Sequence, residues 1–136
     1  EPMAKVLGKL GAKKAWVVHG SDGLDELTTT GSSYVSEYKN GQVTNFEVSP
    51  LDAGIPLAKL EDLKGGDAAD NAKAMEAMLD GEPGAFRDIV IYTAAAALIV
   101  ADKAEDLNEG AEMAAKAIDE GNSRKALERM VSITNA

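Results

Sequence analysis

Apolar positions first recur at helical spacing. Met3, Val6, Leu7 and Leu10 share one face, Pro2 suits a first-turn position, and Gly11 ends the run. Residues 15–18, Ala-Trp-Val-Val, do not alternate with polar neighbours, which predicts a short strand buried on both faces. Residues 19–26 are polar and read as a loop. From Ser33 the period drops to two. Residues 33–38 and 42–48 alternate around Lys39-Asn40-Gly41, a hairpin signal, because Asn and Gly tolerate the positive φ of a type I′ turn. Ser49-Pro50 closes the hairpin, and residues 51–66 read as loop with short turns at most.

The second half is helical. Residues 67–79 place Ala68, Ala72, Met75 and Leu79 on one stripe, with Met78 beside it and Gly81 as the stop. Residues 84–101 form the most apolar segment. The alanines 94–97 at its centre favour helix and permit close approach of a neighbouring element. Residues 104–120 are amphipathic through Leu107, Ala111, Ala114, Ala115 and Ile118. Ser123 is the expected cap of a last helix carrying Leu127, Met130, Val131 and Ile133. This order predicts an α/β fold with an incomplete open sheet: one buried, parallel-type strand and a β-hairpin, packed with several helices. A doubly buried strand needs neighbours on both edges. The hairpin supplies two strands at most, so further strands are expected in another part of a longer protein.

Composition narrows the chemistry. The 136 residues suit one domain, and with aromatics at 4% the core must be built from Ala, Val, Leu, Ile and Met. Zero cysteine excludes a disulfide scaffold, a thiolate zinc site and a cysteine nucleophile; one histidine excludes a multi-histidine metal site. The 23 acidic against 14 basic side chains give a net charge of −9, which argues against nucleic acid and anionic membrane as partners. The basic pairs Lys13-Lys14 and Arg124-Lys125 are not interleaved with aromatics. The longest apolar run, residues 89–101, has about 13 residues where a bilayer span needs roughly 20. No secretory leader is expected, since Glu1-Pro2-Met3 lacks a basic start and an apolar segment.

Candidate chemistry gathers in the loop His19-Gly20-Ser21-Asp22-Gly23-Leu24-Asp25-Glu26. It follows the carboxyl end of a buried strand, where open α/β sheets place their ligands. Asp22, Asp25 and Glu26 have no Lys or Arg beside them, and crowded carboxylates repel unless a cation, a proton or water absorbs the charge. Mg²⁺ suits such a place, since it accepts one or two carboxylates and keeps waters or phosphate oxygens. Spacing alone nevertheless favours a solvated acidic loop. His19 is a candidate acid or base, but without a visible partner it reads as a strand-end histidine bonded to a backbone carbonyl. Gly65-Gly66-Asp67 opens a helix. Asp67 can cap the free N–H groups itself, so a capping turn is favoured over an anion site.

Three segments together resemble the anthranilate phosphoribosyltransferase family: residues 19–26 followed by Thr30-Gly31, Gly65-Gly66-Asp67-Ala68 with Asn71-Ala72, and Ala94-Ala95-Ala96-Ala97-Leu98. They occur in the family's order and are spread over most of the chain. The resemblance implies an enzyme of tryptophan biosynthesis, cytoplasmic, that moves the phosphoribosyl group of phosphoribosyl pyrophosphate onto the amine of anthranilate. It implies a small helical domain joined to a larger α/β domain of the nucleoside phosphorylase/phosphoribosyltransferase-like type, with the site in the cleft between them and a homodimer formed through the helical domain. It implies that Asp25 and Glu26 hold Mg²⁺ that bridges to the pyrophosphate, and it assigns no catalytic residue within this chain.

The family's Gly-Thr-Gly-Gly-Asp pyrophosphate loop and its anthranilate-contacting Asn, His and Arg segments have no counterpart here, and Thr93 stands where the family usually has Asn. Residues 1–136 are therefore expected to be the carboxyl-terminal part of the α/β domain, without the amino-terminal helical domain and the glycine-rich loop, and inactive alone. The alternatives are a non-catalytic binding module on the same scaffold, or a related phosphoribosyl-transfer enzyme with another acceptor.

Overall fold

A computed structural model describes residues 1–136. It contains a three-stranded sheet and five helices. Helix α1 (Pro2–Lys9) starts with its proline in the first turn and buries Ala4 completely. Strand β1 (Lys14–Gly20) pairs antiparallel with β2 (Ser33–Lys39), which pairs antiparallel with β3 (Gln42–Val48). Asn40 (φ 52°) and Gly41 (φ 82°) turn the hairpin as its residue types predict.

Side chains alternate across the sheet. One face carries Trp16, Val18, Val35, Phe46 and Val48 toward the helical core. Trp16 and Phe46 meet edge to face at 5.4 Å, and the Trp16 indole N–H donates to Glu37 at 2.9 Å. Helix α1 lies on the opposite face, where Gly8 rests against the Tyr38 ring.

The expected parallel-type strand is corrected here. β1 has one partner in this chain, and that pairing is antiparallel. Both its faces are covered, by α1 and by α3 (Ala85–Val100), but residues 14–18 are only half-buried because the outer edge has no neighbour. Pairing also continues two residues beyond the apolar run: His19 faces Tyr34 and Gly20 faces Ser33, so both belong to the strand rather than the loop.

The helices form the rest of the core. Short 3-10 turns at Pro50–Ala53 and Leu60–Leu63 lead into α2 (Ala68–Leu79). Helix α3 buries Ile89, Ile91, Tyr92, Ala95, Ala96 and Ile99. Helix α4 (Leu107–Asp119) is capped by Asp106, whose carboxylate accepts from Glu109 N–H at 2.9 Å. A Cβ placed on Gly110 would stand 2.8 Å from the Ala95 Cα, so the alanine run on α3 meets a glycine on α4 in direct backbone contact.

Helix α5 (Asn122–Thr134) begins one residue ahead of the expected serine cap. Gly121, in the left-handed region at φ 72°, both ends α4 and starts α5, leaving no extended residue for Ser123 to occupy. Two stripes are less covered than their spacing implies. On α2 only Met78 and Leu79 are buried; on α5 Leu127 is half-buried, while Met130, Val131 and Ile133 face solvent. No helix is long and apolar enough to cross a membrane.

Candidate functional site

The loop between β1 and β2 starts and ends on one cross-strand pair, Gly20 and Ser33. Its two limbs are tied to each other. Ser21 N–H donates to Ser32 O at 2.9 Å, Gly20 N–H to Leu24 O at 2.8 Å, and Thr28 N–H to the Ser33 hydroxyl at 2.9 Å. Leu27, Thr28, Thr29 and Ser33 are fully buried. Thr29 O accepts from Ala58 N–H at 2.9 Å, which joins the loop to the segment leaving the first 3-10 turn.

The three carboxylates of the loop have separate environments. Asp22 is exposed like the other two, but its carboxylate is engaged within the loop. Its Oδ2 accepts from the hydroxyls of Thr30 (2.7 Å) and Thr28 (2.8 Å), and its Oδ1 from Leu24 N–H (3.1 Å). Burial opposes its charge, but the donors from Thr30, Thr28 and Leu24 outweigh that and hold its carboxyl below the usual carboxylate range. A Cβ at Gly20 would meet Asp22 Oδ1 at 2.5 Å and Thr28 Cβ at 2.9 Å, so the close packing of this knot needs glycine there. Asp25 and Glu26 are exposed and belong to no salt bridge.

The chain contains no group of three or more His, Cys, Asp and Glu side chains able to hold a metal by themselves. An ion at Asp25 and Glu26 would thus complete its shell with water or ligand oxygens. That donor set, two adjacent hard oxygen donors with no cation beside them, fits Mg²⁺ and does not fit a structural transition-metal site. The sequence pattern had grouped Asp22 with the other two. Its commitment to Thr28 and Thr30 was not visible in the spacing, although a run of three threonines directly after Leu27 was a signal that polar side chains would be buried and need partners.

His19 is exposed at the strand end. Its Nδ1 lies 3.2 Å from the Gly20 carbonyl oxygen, and its ring lies 4.9 Å from Tyr34. This matches the expected structural histidine and brings no acid or base to the loop's carboxylates. At the start of α2, Asp67 accepts from the N–H groups of Ala69 (2.9 Å) and Asp70 (3.0 Å), so the helix terminus is satisfied from within. Asn71 clamps Gly66, accepting its N–H at 2.9 Å and donating to its carbonyl at 3.2 Å. Both observations agree with a capping turn.

Comparison with known proteins follows the same outline. Residues 1–124 match the family model described as glycosyl transferase family, a/b domain, and the chain belongs to that family. Over 136 residues it is 57% identical to the anthranilate phosphoribosyltransferase of Rhodospirillum rubrum, covering 100% of this chain and 39% of that protein. Over 135 residues it is 58% identical to the enzyme of that name from Paramagnetospirillum magneticum, covering 99% and 39%. The chain thus spans 39% of the length of these relatives. Among solved structures, anthranilate phosphoribosyltransferase from Thermus thermophilus superposes with a TM-score of 0.88 at 37% identity, over 99% of this chain and 40% of that one. A Saccharomyces cerevisiae enzyme of the same name, in complex with PRPP and Mg, shares the fold at a TM-score of 0.77 and 23% identity, over 83% of this chain and 33% of that one.

Proposed function

We propose that this member of the glycosyl transferase family is the carboxyl-terminal part of the α/β domain of an anthranilate phosphoribosyltransferase. The observation that carries the proposal is identity of 57% and 58% to enzymes of that name along essentially the whole chain. The parent enzyme would transfer phosphoribosyl from phosphoribosyl pyrophosphate to anthranilate, in the cytoplasm, as a homodimer. The amino-terminal helical domain and the glycine-rich pyrophosphate loop would belong to the remainder of the polypeptide.

In that enzyme Asp25 and Glu26 would hold Mg²⁺, which when bound offsets charge developing on the departing pyrophosphate. The chain's own contribution is preparatory. The knot around Asp22 keeps the loop in one shape, and Asp25 and Glu26 reach solvent as acceptor-only carboxylates with no internal cation to neutralise them. Apart from the carboxylates assigned to the metal, nothing in the loop is placed to take a proton from the reacting amine: His19 is engaged at the strand end with Gly20 and Tyr34. Acceptor binding and proton removal would therefore fall to the remainder of the enzyme.

The test is loss of anthranilate fluorescence in the presence of phosphoribosyl pyrophosphate and Mg²⁺, with the full-length protein and the 136-residue chain run side by side. Turnover by the full-length protein alone is the expected result. A silent full-length protein would favour the second reading, a binding module that associates through the unpaired outer edge of β1, or a third, an enzyme with another acceptor.

A further inference from the structure

We propose that Asp22 is a positioning residue that fixes the peptide from which Asp25 and Glu26 project, and is not itself a metal ligand. This rests on the reading of Asp25 and Glu26 as the ligands. The geometry separates the roles. A carboxylate has about four lone-pair sites, and donors take three of them at Asp22: two threonine hydroxyls on Oδ2 and the Leu24 N–H on Oδ1. A cation approaching those oxygens would meet protons.

Leu24 precedes Asp25 and is held at both ends of its peptide units, its N–H by Asp22 and its carbonyl by Gly20 N–H. Leu27 follows Glu26 and is fully buried. Only Asp25 and Glu26 lie between these two anchors, and both are exposed. The pair is therefore spanned between fixed points, and releasing Leu24 would free one of them. Residues that orient metal ligands in this way typically change affinity by about 10- to 100-fold when removed.

The experiment is a Mn²⁺ titration of the ¹⁵N-labelled chain, followed by paramagnetic broadening of amide signals, with amide exchange at Leu24 measured alongside. Wild type should broaden around residues 23–27, and the double variant Asp25→Asn, Glu26→Gln should not. Asp22→Ala should need on the order of tenfold more Mn²⁺ for the same broadening, with faster exchange at Leu24 and dispersed signals elsewhere. Asp22→Asn should fall between, since its amide oxygen still accepts. Thr30→Val should weaken binding and Thr30→Ser restore it.

Wild-type broadening in Asp22→Ala would overturn the inference and leave the Asp25 and Glu26 assignment standing. Complete loss of broadening in Asp22→Ala with Leu24 exchange unchanged would make Asp22 a ligand and overturn it as well. Broadening that persists in the double variant would bring down the ligand assignment itself, and the inference with it. If Asp22→Ala does not fold, the Thr30 pair decides: equal broadening in Thr30→Val and wild type overturns the inference.

Discussion

Replacing Asp25 with Asn and Glu26 with Gln removes the two carboxylates of the loop that accept no hydrogen bond within it, while leaving the Asp22 knot in place. In the full-length protein this should lower Mg²⁺-dependent turnover by on the order of 100-fold or more. The urea midpoint should stay unchanged, since neither side chain is in a salt bridge. Asp22 should respond differently, through acid stability. Its folded-state pKa lies below the unfolded value, so it stabilises the fold above the ordinary carboxylate pKa of about 3.9, and that stabilisation disappears as pH falls through the folded value. Urea midpoints at about pH 6 and about pH 3 should converge for Asp22→Asn relative to wild type, on this group's contribution. Tyr92 makes the opposite case. It is fully buried, its hydroxyl has no hydrogen-bond partner, and burial followed by the charge of Asp52 drives its phenol well above the usual range. Tyr92→Phe deletes an unsatisfied donor and should raise stability by about 1 kcal/mol, read from the shift in urea midpoint.

Between elements, the tightest constraint is where α3 and α4 touch. Gly110→Ala would drive a methyl group against the Ala95 backbone at 2.8 Å, which helix translation alone can relieve. A loss of about 1–3 kcal/mol is expected, measured by thermal or chemical unfolding. That contact also shows how much of the fold could be read in advance. The alanine run announced a helix that a neighbour could approach closely, because alanine both favours helix and leaves little side chain in the way. The glycine it meets did not, since Gly110 sits inside an ordinary amphipathic pattern. The hairpin was legible from Asn40-Gly41, where backbone conformation depends on residue type alone. The pairing of β1 was not, because an unbroken apolar run reports covered faces and carries no information about edge partners or direction. The stripes of α2 and α5 failed for a related reason: periodicity identifies a face that can be buried, and Met75, Met130, Val131 and Ile133 remain exposed in this chain. At the site, residue type alone pointed to a solvated acidic loop, and the choice of Asp25 and Glu26 within it came from the resemblance. The division of labour with Asp22 depended on two hydroxyls six and eight residues away, brought back by the turn of the loop.

At the scale of the molecule, three strands and five helices enclose one core, but the sheet ends on an unpaired strand. The outer edge of β1 and the exposed apolar side of α5 are the surfaces on which a larger assembly would be built. The 136-residue chain is accordingly expected to show no transferase activity by itself. It should also self-associate with rising concentration, which sedimentation velocity would detect. His19→Lys, which sets a charge on the exposed end of that edge strand, should reduce the association.

The loop that carries Asp25 and Glu26 has both feet on a single pair of facing residues, Gly20 and Ser33, and its limbs are laced together by Ser21 with Ser32. Topologically it is a ring that the two strands happen to close. A ring can be closed by other means. A head-to-tail cyclised peptide of residues 20–33 would retain Asp22, Thr28 and Thr30, and so most of the lacing, without any of the sheet. Much of its cost of ordering would already be met by the covalent closure. If Asp25 and Glu26 hold Mg²⁺ as proposed, such a macrocycle would be a minimal synthetic receptor for divalent cations, and its amide exchange pattern, compared with that of the linear peptide, would report how much of the loop's shape is its own.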